Sequence, residues 1–187
     1  SENSFESVID RLTLEQLDTY LFRYKGKNAG ILRIFGGQVI AQAYIAANET
    51  VSDDMQIHSL HAYFLRPGVI KQPVLFSVDP VRDGKSFFTR TVKAIQNNEI
   101  IFTMTVSFQK EEGGITHSIE MPKVPDPDEL KDEIQMREEN IELIPKELRK
   151  FFMKKREYTI KVVEWNDVFD PKPCLLYTSD AADEWIG

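Results

Sequence analysis

Residues 37–48 (GQVIAQAYIAAN) have helical spacing but almost no polar face, and Val39, Ile40, Ala43, Tyr44 and Ala47 dominate them. A helix that is apolar nearly all round cannot lie on a surface, so another part of the chain must enclose it. Four strand-like runs follow directly, each closed by turn chemistry. Residues 55–66 end at Pro67-Gly68, 73–82 at Asp83-Gly84, and 86–96 at Asn97-Asn98, a hairpin signal because Asn tolerates positive φ. In the last run, 99–110, Ile100, Phe102, Met104, Val106 and Phe108 alternate with Thr103, Thr105, Ser107 and Gln109, which predicts one face on a core and one more polar face.

Upstream, residues 4–18 read as helical, with Val8, Ile9, Leu12, Leu14 and Leu17 as a loose stripe and Thr13 with Gln16 as a capping box for a second short turn. Residues 19–25 read as a strand with Tyr20, Phe22 and Tyr24 on one face, and GKNAG (26–30) as a turn. Strand, enclosed helix and then four antiparallel-looking strands argues against a βαβ arrangement, which needs helices between the later strands, and none is visible before residue 126. The pattern predicts an α+β hotdog fold, a curved antiparallel sheet wrapped around a central helix.

The texture changes after Lys110. Gly113-Gly114, Pro122 and Pro125 mark 111–125 as an exposed connector. Residues 126–157 are highly charged. There Asp126 or Asp128 is expected to cap a helix running to Asn140, and Pro145 to open another ending in Lys154-Lys155-Arg156. Residues 158–163 (YTIKVV) read as a new strand. The expected division is a hotdog repeat over 1–110, a connector and charged linker over 111–157, the start of a second repeat over 158–173, and a tail over 174–187.

Composition narrows the classes. The 187 residues carry a net charge of −7, the wrong sign for a general nucleic-acid binder. No apolar run approaches the roughly 20 residues of a membrane-spanning helix, and SENSFESVIDR lacks the apolar core of a signal peptide. The single Cys174 excludes an intramolecular disulfide network and suits a reducing compartment. A soluble intracellular protein is expected.

Few residues have a pattern that points to chemistry. Gly36, Gly37 and Gln38 sit where the enclosed helix begins. Free backbone N–H groups there can polarise a carbonyl or hold an anion, although glycines equally serve a tight turn and close packing. His58 and His61, three apart on one strand, are expected on opposite sides of the sheet, so they do not make a paired metal site, and no metal or cofactor is expected. One of them can act as a base or hydrogen-bond donor, or simply be satisfied by its neighbours. Asp53 and His58 have the Asp-x4-His spacing of hotdog hydratases without the flanking residues. Arg66 and Arg82, at strand ends, can meet a phosphate or be solvated. No Gly-x-Ser-x-Gly nucleophile elbow occurs.

Several long strings in order carry a resemblance: FGGQVIAQA (35–43), HSLHAYFLRPG (58–68), RDGKSFFTR (82–90), AIQNNEIIFTMTVSFQ (94–109) and MPKVPDPDEL (121–130). Residues 32–127 resemble the N-terminal half of the acyl-CoA thioesterase II (TesB-like) family, and weaker similarity reaches back to residue 1 and on to 173. The resemblance implies two fused hotdog repeats that hydrolyse fatty acyl-CoA to free acid and CoA, without a cofactor. It places the catalytic Asp, Thr and Gln in the second repeat, so none of them carries over. His58 matches a histidine of the first repeat and is carried over as an assisting catalytic residue. Gly36, Gly37, Gln38, Arg66 and Arg82 become substrate-binding candidates. Residues 174–187 (CLLYTSDAADEWIG) depart from the family and resemble translated adapter sequence, so Asp180 is given no role despite its Tyr-x-Ser-Asp setting. The expected partner is fatty acyl-CoA, with a homo-oligomer for the full-length protein and a peroxisomal location if it is eukaryotic or cytoplasmic if bacterial. The alternative is a non-catalytic acyl-binding or dimerising hotdog module.

Overall fold

The computed structural model describes residues 4–26, 33–154, 159–161 and 163, and two compact units divide at Thr116/His117. The first unit contains, in order, α1 (Ser4–Leu12), β1 (Glu15–Asp18), β2 (Leu21–Tyr24), α2 (Gly36–Asn48), β3 (Met55–Phe64), β4 (Val74–Asp83), β5 (Phe87–Gln96) and β6 (Glu99–Lys110). The strands form one antiparallel sheet in the order β1-β2-β4-β5-β6-β3. One face of this sheet packs on α2, which is the hotdog arrangement.

The packing follows from the patterns already described. Ala43, Ala46 and Ala47 of α2 are wholly buried, and their small side chains let the helix approach the sheet closely. Against them lie Phe22, Phe76, Val92, Phe102, Met104, Val106 and Phe108, also buried. Burying each of the larger of these side chains contributes roughly 1.5–3 kcal/mol. The β5–β6 turn is the expected Asn hairpin, with Asn97 and Asn98 at φ 52° and 63°.

Two buried polar side chains hold the loops to this framework. Arg90 is 1% exposed. Its guanidinium donates to the Thr50 Oγ1 (2.9 Å) and carbonyl (3.1 Å) beyond the C-terminus of α2, and pairs with Asp83 at 2.5 Å. It therefore ties the helix end to both β4 and β5. Gln96 donates to the carbonyls of Val69, Gln72 and Pro73 and accepts from the Val69 N–H, fixing the β3–β4 connection.

Several expectations are corrected. Residues 4–18 are not helical throughout. The helix ends at Leu12, the Thr13 hydroxyl donates back to the Ile9 carbonyl (2.9 Å) instead of opening a capping box, and Glu15–Asp18 pairs with β2. A cross-strand ion pair, Arg23 to Glu15 at 2.6 Å, favours the hairpin over a second helical turn. The strand expected over 19–25 is shorter, and Tyr20 is exposed, unlike Phe22 and Tyr24.

In the second unit the helix expected from Asp126 to Asn140 is broken. Asp126 caps only a 3-10 turn (Pro127–Glu129), and α3 (Glu133–Glu139) starts afresh from a capping box between Asp132 and Gln135. Pro145 precedes α4 (Lys146–Phe152), which stops before the basic run. Within this unit Glu133 and Arg137 form a buried ion pair, Arg137 also donates to the Phe152 carbonyl (3.0 Å), and Ile144 is fully enclosed. Lys161 makes an isolated bridge to Asp132. The expectations for residues 27–30, 155–158, 162 and 164–187 lie outside the described residues.

Replacing Arg90 with Met leaves the Thr50 acceptors and Asp83 unpaired. The loss expected in urea unfolding is about 3 kcal/mol, because several hydrogen bonds to a charged group go at once. At Glu15, the hydrogen bond from the Arg23 guanidinium holds the carboxyl below its ordinary value of 4.5. Its stabilising contribution is therefore complete above about pH 4.5 and is lost as pH falls through the lower folded-state value. A Glu15→Gln variant should show a flatter acid limb in stability measured against pH.

Candidate active site

The N-terminus of α2 is open. Phe35 occupies the cap position without a side-chain hydrogen bond, and no acidic residue stands in the first turn. Phe35's carbonyl accepts from Gln38 N (3.0 Å) and Val39 N (3.3 Å), whereas the first two helical N–H groups, of Gly36 and Gly37, have no intrahelical acceptor. The helix end is therefore a local positive pole with unused donors. The side-chain Nε2 of Gln38 is also buried and unpartnered among the described residues.

A cavity of about 320 Å³ adjoins this turn. Its walls are Gly36 and Val39 of α2, Ile34, the end of β3 with the following Phe64-Leu65-Arg66-Pro67-Gly68, and Ile101 and Phe102 of β6. The glycines are part of the shape. A Cβ on Gly36 would stand 3.1 Å from the Phe64 ring, and one on Gly68 would stand 3.1 Å from both Ile34 and Ile101. Among the described residues the lining is mostly apolar and contains no carboxylate, hydroxyl or thiol side chain. Arg66, at its mouth, donates to the Ile100 carbonyl (2.8 Å) and lies 3.7 Å from Glu99. The cavity can hold a hydrocarbon tail with an electron-rich group towards the helix end, and its described lining offers no nucleophile or general base.

The structure thus brings together Gly36 and Arg66 around one cavity, with Gly37 and Gln38 on the adjoining turn. His58 and Arg82 are elsewhere. A β-bulge between Ile57 and Ser59 inserts one residue into β3. As a result His58 and His61 lie on the same side of the sheet, not on opposite sides as strict alternation predicts. Both face away from α2. His58 packs edge-on against Phe87 (5.6 Å), which neighbours Gln109 on the outer face, and His61 pairs with Thr105 and stacks edge-on with Tyr63 (4.7 Å). Arg82 pairs with Thr89 on that same outer face. No group of three or more His, Cys, Asp or Glu side chains that could hold a metal occurs among the described residues. Asp53 is in the turn before β3.

The sheet wrapped on α2, with a cavity at the helix start, defines a hotdog-fold domain of the thioesterase type. Residues 26–109 match the family described as Acyl-CoA thioesterase N-terminal domain. Through this domain the chain is similar to acyl-CoA thioesterases. It is 36% identical over 164 residues to acyl-CoA thioesterase 2 of Haemophilus influenzae, covering 88% of this chain and 57% of that protein. It is 46% identical over 122 residues to human acyl-coenzyme A thioesterase 8, covering 65% of this chain and 38% of the human protein. The crystal structure of an acyl-CoA thioesterase II from Mycobacterium marinum superposes with a TM-score of 0.61 at 42% identity, over 71% of this chain and 49% of that one. The chain spans about half the length of the curated relatives it matches.

Because His58 is exposed and makes one ring contact and a long hydrogen bond to Ser59 (3.3 Å), His58→Ala should leave stability within about 0.5 kcal/mol of the parent in chemical denaturation.

Proposed function

We propose that this chain supplies the acyl-binding half of an acyl-CoA thioesterase, which hydrolyses fatty acyl-CoA to free acid and CoA. The observation that carries this reading is the apolar cavity ending at the uncapped first turn of α2. The fatty chain lies along Ile34, Phe64, Ile101 and Phe102. The thioester carbonyl points at the Gly36 and Gly37 N–H groups, which stabilise negative charge as it develops on the oxygen during attack by water. Gln38's amide stands ready to orient the same group, and Arg66 meets polar atoms of the substrate at the cavity mouth.

The cavity lining has no base to activate water, so that group comes from outside it. The family resemblance assigns it to an Asp, Thr and Gln of a second hotdog repeat. Strand β3, the last in the sheet, offers that repeat a free edge bordered by the exposed side chains of Ile57, Leu60 and Phe64. His58, on the outer face of that strand, assists from outside the cavity. The full-length enzyme is a homo-oligomer acting in fatty acid metabolism, in peroxisomes if it is eukaryotic and in the cytoplasm if bacterial. A yeast relative, 32% identical over 101 residues, is named a peroxisomal acyl-coenzyme A thioester hydrolase, and among the described residues no helix is long and apolar enough to cross a membrane. The missing base equally suits a second reading, a non-catalytic acyl-binding or dimerising module.

Binding of a non-hydrolysable thioether analogue of a long-chain acyl-CoA tests the reading. The chain should bind it, and Gly36→Val, which crowds Phe64, should weaken binding by roughly tenfold or more while the fold is retained. Equal affinity in the variant would remove the cavity from the proposal. Release of free thiol from acyl-CoA separates the two functional readings. The chain joined to a second repeat should turn over, whereas a binding module should not.

A further inference from the structure

A second pocket, of about 300 Å³, lies on the outer face at the β4–β5 turn, walled by Arg82, Gly84, Lys85, Ser86, Phe87 and Thr89. Its charge balance is unusual for a chain of net charge −7. Asp83, the acid between the two cations in sequence, is committed to the buried Arg90 guanidinium at 2.5 Å. Asp79, farther along β4, is paired with Lys93 at 3.1 Å. Neither Arg82 nor Lys85 has an ion pair among the described residues, and both are exposed. Beside them Phe87 presents a half-exposed ring, held edge-on against His58 at 5.6 Å, and Ser86 and Thr89 add hydroxyls. Gly84 keeps the turn tight. Its N–H donates to the Phe87 carbonyl (2.9 Å), and a Cβ there would stand 2.8 Å from that oxygen.

Two unpaired cations, hydroxyl donors and an aromatic platform in one concavity match a planar base carrying phosphate. Arginine and lysine meet the phosphate oxygens, and the ring supports the base by stacking. We infer that this pocket binds a phosphorylated adenosine, with Arg82 and Lys85 on phosphate and Phe87 under the base. The choice of adenosine rests on the acyl-CoA reading above, since CoA ends in an adenosine bearing a 3′-phosphate and a 5′-diphosphate. The pocket is not the far end of this chain's own acyl cavity. It opens on the sheet face opposite α2, and its row of the sheet lies about 17 Å along β6 from Phe102, at ~3.4 Å per residue. Its ligand is therefore a free nucleotide or the nucleotide end of an acyl-CoA whose acyl group occupies another hotdog unit.

Calorimetric titration of the chain with adenosine 3′,5′-bisphosphate, intact CoA, adenosine and inorganic phosphate tests the site. Saturable binding of the bisphosphate is expected, with adenosine and phosphate each weaker by roughly tenfold, since each keeps only part of the contacts. The double variant Arg82→Ala/Lys85→Ala should abolish it, and Phe87→Ala should weaken it while circular dichroism shows the fold retained. CoA binding more tightly than the bisphosphate identifies the source as substrate, and equal binding identifies a free nucleotide. Gly36→Val should leave bisphosphate affinity unchanged, so failure of the acyl cavity and failure of this pocket are read separately. No binding, or binding unaffected by the double variant, overturns the inference.

Discussion

The enclosure of α2 is the constraint on which the rest depends. Ala43, Ala46 and Ala47 are buried completely, so the sheet must curve closely around it, and the strand order and register follow from covering that one helix. Burial also fixes what the helix can do. One side of it, with Val39, Gln42, Ala43, Ala46 and Ala47, is occupied by core, and its first turn borders a cavity that a ligand can enter. The glycines at that turn keep both the cavity and the N–H groups accessible, because larger side chains would crowd Phe64 and Phe35. Fold and candidate chemistry thus arise from the same local sequence.

The parts legible in the sequence are those governed by a regular period. The apolar circumference of α2, the alternation in β6 and the Asn97-Asn98 turn each report a repeating or local requirement that one chain segment states by itself. Where a single inserted residue or a partner far along the chain decides the outcome, the sequence is silent. The bulge at β3 shifts His58 onto the face of His61, and nothing in HSLHAYF marks the extra residue. Arg90 looks like an ordinary strand cation, yet it is the largest fully buried side chain among the described residues because Thr50 and Asp83 converge on it. Glu15–Asp18 carries helical spacing, but cross-strand pairing with β2 outweighs it. Sequence reasoning also grouped Arg66 and Arg82 as similar strand-end arginines. The fold separates them, one at the cavity mouth and one on the outer face.

This separation gives the domain two chemically distinct concave surfaces. The cavity side is apolar and ends in backbone donors, suited to a fatty thioester. The outer side at the β4–β5 turn is cationic and aromatic, and Arg90 contributes to that character indirectly by drawing Asp83 away from its neighbours. The described lining of the cavity holds no general base, and the chain spans about half the length of its curated relatives.

The central claim is that the acyl thioester lies against the first turn of α2. A crystal structure of the chain with a non-hydrolysable acyl-CoA analogue tests it directly. The account predicts the hydrocarbon tail between Phe64 and Ile101 and the carbonyl-equivalent oxygen within hydrogen-bond distance of the Gly36 or Gly37 N–H. An acyl chain seated on the outer face, or a carbonyl remote from the helix end, would contradict it.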